Sequence, residues 1–117
     1  MPVKILVADD DRAMLNLYAK IFSQTEYSIT QAETFAQASA LLREGEFDLL
    51  ITDFMFPDGV GTELIRLFNE AKADAKSLLV TGTPSARDHA TCEGVNLYLE
   101  KPFKVEQLMQ AVSKVLA

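Results

Sequence analysis

The chain has 117 residues, of which 49% are hydrophobic and 24% are charged, and its formal net charge is −6. These proportions predict one globular domain over residues 1–117, because the chain is too short to bury two separate cores. The negative charge disfavours a nucleic-acid-binding surface, which needs clustered lysine and arginine. It favours a protein partner or a divalent cation instead.

The sequence pattern also argues against a membrane or secreted protein. Apolar runs stay well below the roughly 20 residues of a membrane span, and no charged-then-apolar leader follows Met1. Cys92 is the only cysteine, so an internal disulfide or a multi-cysteine zinc site is excluded. We therefore expect a cytoplasmic protein.

The first half of the chain alternates apolar runs with helical patterns. VKILVAD, at residues 3–9, predicts a buried strand. A helix is predicted from Asp11, with Asp10 or Asp11 as its cap. YSITQA, at residues 27–32, predicts a half-polar edge strand, and the second helix that follows it closes at Gly45. The apolar stripes of these two helices are Met14, Leu17, Tyr18, Ile21 and Phe22, then Phe35, Ala38 and Leu42.

The second half of the chain repeats this alternation. Residues 47–53, 77–83 and 96–100 predict three further strands, FDLLITD, SLLVTGT and NLYLE. A third helix is predicted within residues 61–73, and a short polar fourth helix is predicted to begin at Thr83 and Pro84 and to end at Gly94. The stripes of the third and the last helix are Leu64, Ile65, Leu67, Phe68 and Ala71, then Val105, Leu108, Met109, Val112 and Val115 or Leu116.

Five strands that alternate with five helices predict an α/β domain. Short connections between parallel strands imply right-handed crossovers and a doubly wound parallel sheet with helices on both faces. In such sheets the binding crevice lies beyond the carboxyl ends of the strands, where strand order reverses. The residues that follow the strands are therefore the candidates for a functional site.

Charged and polar residues stand at four of these strand ends. Asp9 and Asp10 end the first strand, Asp53 the third and Thr81 the fourth, and Lys101 follows the fifth. Each residue alone has an ordinary explanation, such as helix capping, a turn or a surface ion pair, and we assign capping to Asp11. Four strand ends that bring complementary groups to one edge indicate a functional site.

Three neighbouring carboxylates limit the chemistry of this site. They cannot all stay ionised without a counter-cation, and hard oxygen ligands select Mg²⁺, Mn²⁺ or Ca²⁺. A carboxylate can also attack phosphorus and form an aspartyl phosphate. A metal ion, an ammonium group and a hydroxyl could share the extra negative charge of that product. Asp53, which ends a buried apolar run, is the candidate centre.

Four segments of the chain resemble the receiver domain of bacterial two-component response regulators. The segments are LVADD, LLITDFMFPDGVG, LLVTGT and YLEKPF, which begin at Leu6, Leu49, Leu78 and Tyr98. The resemblance covers essentially the entire chain. It implies a flavodoxin-like five-stranded sheet with strand order 2-1-3-4-5, and a cis peptide bond between Lys101 and Pro102.

The resemblance also assigns a phosphoacceptor and a metal site. It implies that Asp53 accepts a phosphoryl group. It implies that Asp9, Asp10 and Asp53 hold Mg²⁺, or Mn²⁺ in its place, together with the backbone carbonyl of Met55.

A phosphoryl donor and a switch follow from the same resemblance. No glycine loop that could cradle ATP is present, so the donor would be a phosphohistidine on a sensor histidine kinase or a histidine phosphotransfer protein. Lys101 would pair with the phosphoryl group, and Thr81 would bond one of its oxygens. Tyr98 would then fill the space that Thr81 vacates. The alternative for Tyr98 is an ordinary half-buried strand aromatic.

The output of such a domain would be protein contact. The resemblance implies that a downstream protein, or a second copy of the chain, binds the face formed by the fourth helix, the fifth strand and the last helix. No membrane or nucleic-acid partner, no turnover of an independent substrate, and no output domain after Ala117 are expected. Met55 and Thr83 occupy positions that in this family influence attack by water. Because Met55 offers no group to orient that water, slow self-dephosphorylation is predicted.

Two other interpretations stay open at this point. DDDRA contains the D-x-D pattern of a haloacid-dehalogenase-like phosphatase, although that motif has Thr or Val where Ala13 stands. A receiver-like module that binds partners without being phosphorylated is the second alternative. Turnover of a phosphate ester, or failure to phosphorylate, would favour these interpretations respectively.

Overall fold

A computed structural model of the chain describes residues 2–82 and 94–117. In these residues the strands are β1 (Lys4–Ala8), β2 (Ser28–Ala32), β3 (Leu49–Thr52), β4 (Met55–Phe56), β5 (Gly59–Val60), β6 (Lys76–Thr81) and β7 (Leu97–Glu100). The helices are α1 (Arg12–Phe22), α2 (Phe35–Glu44), α3 (Gly61–Ala71) and α4 (Val105–Leu116).

Five of the strands form one parallel sheet in the order β2-β1-β3-β6-β7. This order is the predicted 2-1-3-4-5, so the doubly wound α/β fold is confirmed. The predicted fourth helix, from Thr83 and Pro84 onward, lies outside the described residues. An antiparallel hairpin of β4 and β5 was not predicted, and it lies between β3 and α3.

The core lies on both faces of the sheet because successive strand residues point in opposite directions. In β1, Leu6 and Ala8 pack with α2 and α3, whereas Ile5 and Val7 pack with α1 and α4. The central strand β3 is buried along its whole length. This explains why the central strands read as continuous apolar runs rather than alternating ones.

The predicted cap of α1 and the predicted end of α2 at Gly45 are confirmed, but three predicted stripe residues, Leu17, Ala71 and Val105, are exposed. The Asp11 side chain caps α1 by accepting a hydrogen bond from the Ala13 amide. In α1 the buried position is Leu15, whereas Leu17 is 38% exposed. Val105 begins α4 and is also exposed. Leu15 and Leu17 could each belong to an apolar stripe of α1, so the packing of the helix against the sheet decides which of the two is buried.

Within the described parts of the chain, every helix falls short of the length and apolar character that a membrane span requires.

Candidate functional site

Backbone hydrogen bonds hold the strand ends level at one edge of the sheet. The Asp53 amide donates to the Ala8 carbonyl at 2.9 Å, and the Lys101 amide donates to the Thr81 carbonyl at 2.9 Å. These bonds continue the strand pairing by one residue beyond each strand. The residues that follow β1, β3 and β7 therefore meet at the carboxyl edge, where doubly wound sheets bind their ligands.

The carboxylates of Asp9, Asp10 and Asp53 form a cluster at this edge. Each contributes one oxygen, and these oxygens all lie within 4.8 Å of one another. Asp9 is buried, Asp53 is partly buried and Asp10 is exposed. The cluster is therefore anchored in the sheet on one side and open to solvent on the other. Three hard oxygen donors with an open side suit a small dication that keeps some of its water.

Asp9 has both carboxylate oxygens occupied by donors. Its Oδ1 accepts a hydrogen bond from the Asp11 amide at 2.9 Å, and its Oδ2 accepts one from the Lys101 Nζ at 3.0 Å. The side chain is only 1% exposed. A buried carboxylate with these partners keeps a fixed orientation and avoids the full cost of an isolated buried charge.

The negative charge of Asp53 has weaker partners than that of Asp9, because its cation is farther away. Its Oδ1 accepts a hydrogen bond from the Phe54 amide at 2.8 Å, and the Lys101 Nζ lies 3.8 Å from the same oxygen. Burial raises the pKa of Asp53, and the charges of Asp9 and Asp10 raise it further, whereas Lys101 and the Phe54 amide lower it. Burial and the two neighbouring carboxylates thus outweigh Lys101 and the Phe54 amide, and a dication bound to these oxygens would lower the pKa of Asp53.

Lys101, in the loop after β7, lies between the two less exposed carboxylates, Asp9 and Asp53. Its side chain is 22% exposed, and its ammonium lies 3.0 Å from an Asp9 oxygen and 3.8 Å from an Asp53 oxygen. The peptide bond between Lys101 and Pro102 is cis, as predicted. One cation thus bridges two of the three carboxylates and leaves Asp10 to solvent.

The two predicted switch residues lie on the same side of the sheet. Thr81 is buried at the end of β6. Tyr98 in β7 is paired with Leu79, two residues before Thr81, and packs against the core next to α2 and α3. Residues two apart in a strand share a face, so the structure places Thr81 and Tyr98 in positions from which one could affect the other.

Gly61 is a site residue that the sequence pattern did not reveal. Its amide donates a hydrogen bond to the Phe54 carbonyl at 2.6 Å. A Cβ at this position would lie 2.9 Å from the carbonyl carbon of Asp53 and closer still to its oxygen. The start of α3 can therefore contact the backbone of Asp53 only with glycine there. A glycine at the start of a helix is common enough to pass unnoticed in the sequence.

Tyr18 lies on the apolar stripe of α1, as predicted, but its interaction with the carboxylates was not predicted. It is fully buried in α1, and its ring stacks on Phe22 and on Phe103, with ring centres 6.5 Å and 6.3 Å apart. Burial raises the pKa of Tyr18, and the charges of Asp9 and Asp53 add to this effect. The phenol is therefore a neutral group beside the site. The available signal was a residue with a polar hydroxyl within an otherwise apolar stripe.

An apolar depression of about 380 Å³ lies next to Lys101. Met14, Leu17, Pro102 and Phe103 line it together with Lys101 itself. A larger cavity of about 540 Å³ lies between the C-terminal ends of α2 and α3, and none of the predicted site residues lines it. The smaller depression is the one that adjoins the carboxylates.

Comparison with known proteins identifies similar chains. The family model described as the response regulator receiver domain matches residues 5–113. The response regulator receiver protein CpdR of Brucella abortus is 30% identical over 97% of this chain and 96% of its own length. The response regulator MprA of a Mycobacterium species is 31% identical, but this chain spans only 51% of that longer protein.

Solved structures show the same similarity. A CheY-like receiver domain protein from Methanospirillum hungatei superposes with a TM-score of 0.93 at 26% identity, over 99% of this chain and 94% of that one. The response regulator TrrA from Thermotoga maritima, determined in complex with Mg²⁺ and BeF, superposes with a TM-score of 0.89 at 29% identity. That comparison covers 97% of this chain and 99% of TrrA.

Proposed function

Because this chain belongs to the response regulator receiver domain family, whose members are signalling domains, we propose that Asp53 is its phosphoacceptor. The observation that carries this proposal is the cluster of three carboxylates with oxygens within 4.8 Å, next to the Lys101 ammonium. Asp53 is the inner member of the cluster that keeps partial exposure, with its side chain 16% accessible. An incoming phosphoryl group can therefore reach it.

The residues present fit a magnesium ion. Asp9, Asp10 and Asp53 would hold it together with the backbone carbonyl of Met55, and Mn²⁺ would substitute. The bound ion would neutralise negative charge on the phosphoryl oxygens. The close approach of the three carboxylates supports this assignment, because like charges within 4.8 Å of one another favour a bound cation. The complex of TrrA with Mg²⁺ and BeF is consistent with it.

The transfer step uses groups that the structure brings to one edge. An Asp53 carboxylate oxygen forms a bond to phosphorus while the bond from phosphorus to a donor histidine nitrogen breaks. The electron pair of that bond stays on the imidazole. Lys101 would shift its ion pair toward the new phosphoryl oxygens, and the Thr81 hydroxyl would donate to one of them. No proton has to be removed from Asp53, which is nucleophilic as the carboxylate.

The donor in this proposal is a phosphohistidine on a sensor histidine kinase or a histidine phosphotransfer protein. The apolar depression at Met14, Leu17 and Phe103 supports a protein donor, because it adjoins Lys101 and exposes apolar side chains beside the site. A protein packed there would exclude water from the reacting groups. After transfer, Thr81 and Tyr98 would shift the surface around β7 and α4 toward binding a downstream protein or a second copy of the chain.

Intact-mass measurement tests the proposal. The protein is incubated with acetyl phosphate and Mg²⁺, beside Asp53→Asn and a metal-free control. We expect one phosphoryl group on the wild type, and none on the variant or without metal. Phosphorylation of Asp53→Asn to the same extent would refute the assignment of Asp53.

A wild type that gains no phosphoryl group would require a second measurement. Titration with beryllofluoride then separates two cases, because a receiver that is selective for its donor binds this phosphoryl mimic in the presence of Mg²⁺. A module that only binds partners does not. Release of inorganic phosphate from a generic phosphate ester would instead favour the interpretation as a haloacid-dehalogenase-like phosphatase.

A further inference from the structure

The carboxylate of Asp58 is bonded to a helix that is distant in the sequence. Its Oδ1 accepts a hydrogen bond from the Phe35 amide at 2.9 Å, and its Oδ2 accepts one from the Ala36 amide at 3.1 Å. Both amides belong to the first turn of α2. These two bonds hold the pKa of Asp58 below its ordinary value, so the group is ionised at neutral pH and the bonds are charge-assisted.

The α2 helix does not depend on Asp58 for its cap. The Thr34 side chain accepts a hydrogen bond from the Gln37 amide at 3.0 Å, and the Gln37 side chain accepts one from the Glu33 amide at 2.8 Å. Thr34 is therefore the N-cap residue of α2, and the Gln37 side chain binds the amide of the residue before it. Asp58 binds two other amides of the first turn, those of Phe35 and Ala36, and amides in a first turn have no partner within their own helix. The two hydrogen bonds therefore fix the position of the loop that carries Asp58 as well as stabilising the start of the helix.

That loop is held tightly at both ends. Beside Asp58, Gly59 lies so close to the Phe35 ring that a Cβ would overlap it. At the other end, the Gly61 amide donates to the Phe54 carbonyl. The hairpin of β4 and β5 between these contacts pairs Met55 with Val60 and Phe56 with Gly59. A restraint at residues 58 and 59 therefore reaches Met55 through the next pair of the hairpin.

We propose that Asp58 is a positioning residue that fixes the backbone of Met55 relative to Asp53 by fastening the hairpin to the first turn of α2. This inference rests on the proposed function, in which the Met55 carbonyl is a metal ligand. Asp58 itself touches neither the metal nor the phosphoryl group. Its removal should leave the three carboxylates in place and misplace only the carbonyl.

The test compares Asp58→Ala with Thr34→Ala. Thr34→Ala is the matched control, because it also removes a side-chain bond to the first turn of α2 but does not touch the hairpin. The dissociation constant for Mg²⁺ is measured calorimetrically on the unphosphorylated proteins. Amide hydrogen exchange then reports protection of Phe35, Ala36 and the hairpin. Asp58→Asn, which keeps one acceptor oxygen, is the conservative variant. If Asp58→Ala does not fold, Asp58→Asn is compared with Thr34→Ala in its place.

We expect Asp58→Ala to weaken Mg²⁺ binding by about tenfold, the lower end of the effect of outer-shell partners on metal affinity. Asp58→Asn should lie between it and the wild type, and Thr34→Ala should stay within about twofold of the wild type. Faster exchange in the hairpin should accompany the loss only in the Asp58 variants. Unchanged Mg²⁺ affinity in Asp58→Ala, or an equal loss in Thr34→Ala, would overturn the proposal.

Failure of the proposed function gives a different pattern. If the wild type binds no Mg²⁺, the metal site and the positioning role are both rejected. If the wild type binds Mg²⁺ and is phosphorylated, while Asp58→Ala binds the ion equally well, only the positioning role is rejected.

Discussion

Replacement of Gly61 by alanine tests how tightly the start of α3 packs on the loop that begins at Asp53. An added Cβ would lie 2.9 Å from the carbonyl carbon of Asp53, 3.1 Å from the Thr52 hydroxyl and closest of all to the Asp53 oxygen. Ordinary contacts of a Cβ begin at 3.4 Å. The nearest atoms are backbone, so a rotamer change cannot relieve the overlap.

The expected magnitude is the balance of two opposite effects. Alanine is favoured over glycine in a helix by up to about 1 kcal/mol, and Gly61 is the first residue of α3. Overpacking against fixed atoms costs about 1–3 kcal/mol, and occasionally more. Because β3 is fully buried, the shift must fall on the loop after Asp53. We expect a net loss of about 2 kcal/mol in the free energy of unfolding, which corresponds to a Tm lower by about 8 °C.

The same shift would impair the site. A misplacement of about 1 Å in a catalytic group costs roughly 10²-fold in rate, so phosphorylation by acetyl phosphate should slow by one to two orders of magnitude, as an approximate range. Unfolding is followed by far-ultraviolet circular dichroism, because the chain contains no tryptophan.

Gly82→Ala is the matched control for this prediction. Among the described residues, the nearest heavy atom to its added Cβ is the Lys101 Cβ at 3.9 Å, which is an ordinary contact distance. A Gly61→Ala protein that is as stable as the wild type, or no less stable than Gly82→Ala, would refute the argument that backbone overlap dominates.

Three further changes probe the charges of the site. Asp53→Asn should raise stability at pH 7 in metal-free buffer, because folding raises the pKa of Asp53 above its ordinary 3.8 and stability is lost as pH rises through that raised pKa. Urea unfolding measures the difference in stability between Asp53→Asn and the wild type, which should vanish near pH 3 and become smaller when Mg²⁺ is added. A difference that stays the same at low pH would contradict this prediction. Lys101→Met should lower stability by about 1–3 kcal/mol, because the buried Asp9 loses its ammonium partner, and unfolding curves with and without Mg²⁺ should show partial recovery with the ion. Met55→Asn or Met55→Glu should speed the decay of phosphorylated Asp53 by supplying a group that orients water; time-resolved intact mass measures this, and an unchanged decay rate would count against the role of Met55.

Much of the architecture could be predicted because its signals are local. A continuous apolar run that stops at a charge marks a buried strand and its end, as at Asp9 and Asp53. Parallel connection then places all the carboxyl ends at one edge of the sheet. The meeting of three carboxylates and a lysine therefore follows from strand order alone. The cap at Asp11 and the end of α2 at Gly45 follow equally local rules.

The tertiary structure alone determined how deeply each side chain is buried and which residues contact it. Asp9 and Asp10 are sequence neighbours with the same side chain, yet one is buried and one exposed, because successive residues leave a strand in opposite directions. The choice of Leu15 over Leu17 as a core residue depended on how α1 rotates against the sheet. The contacts of Gly61 with Asp53, and of Asp58 with α2, join residues brought together only by folding. Local patterns carry no signal for them, because both depend on where distant backbone comes to lie.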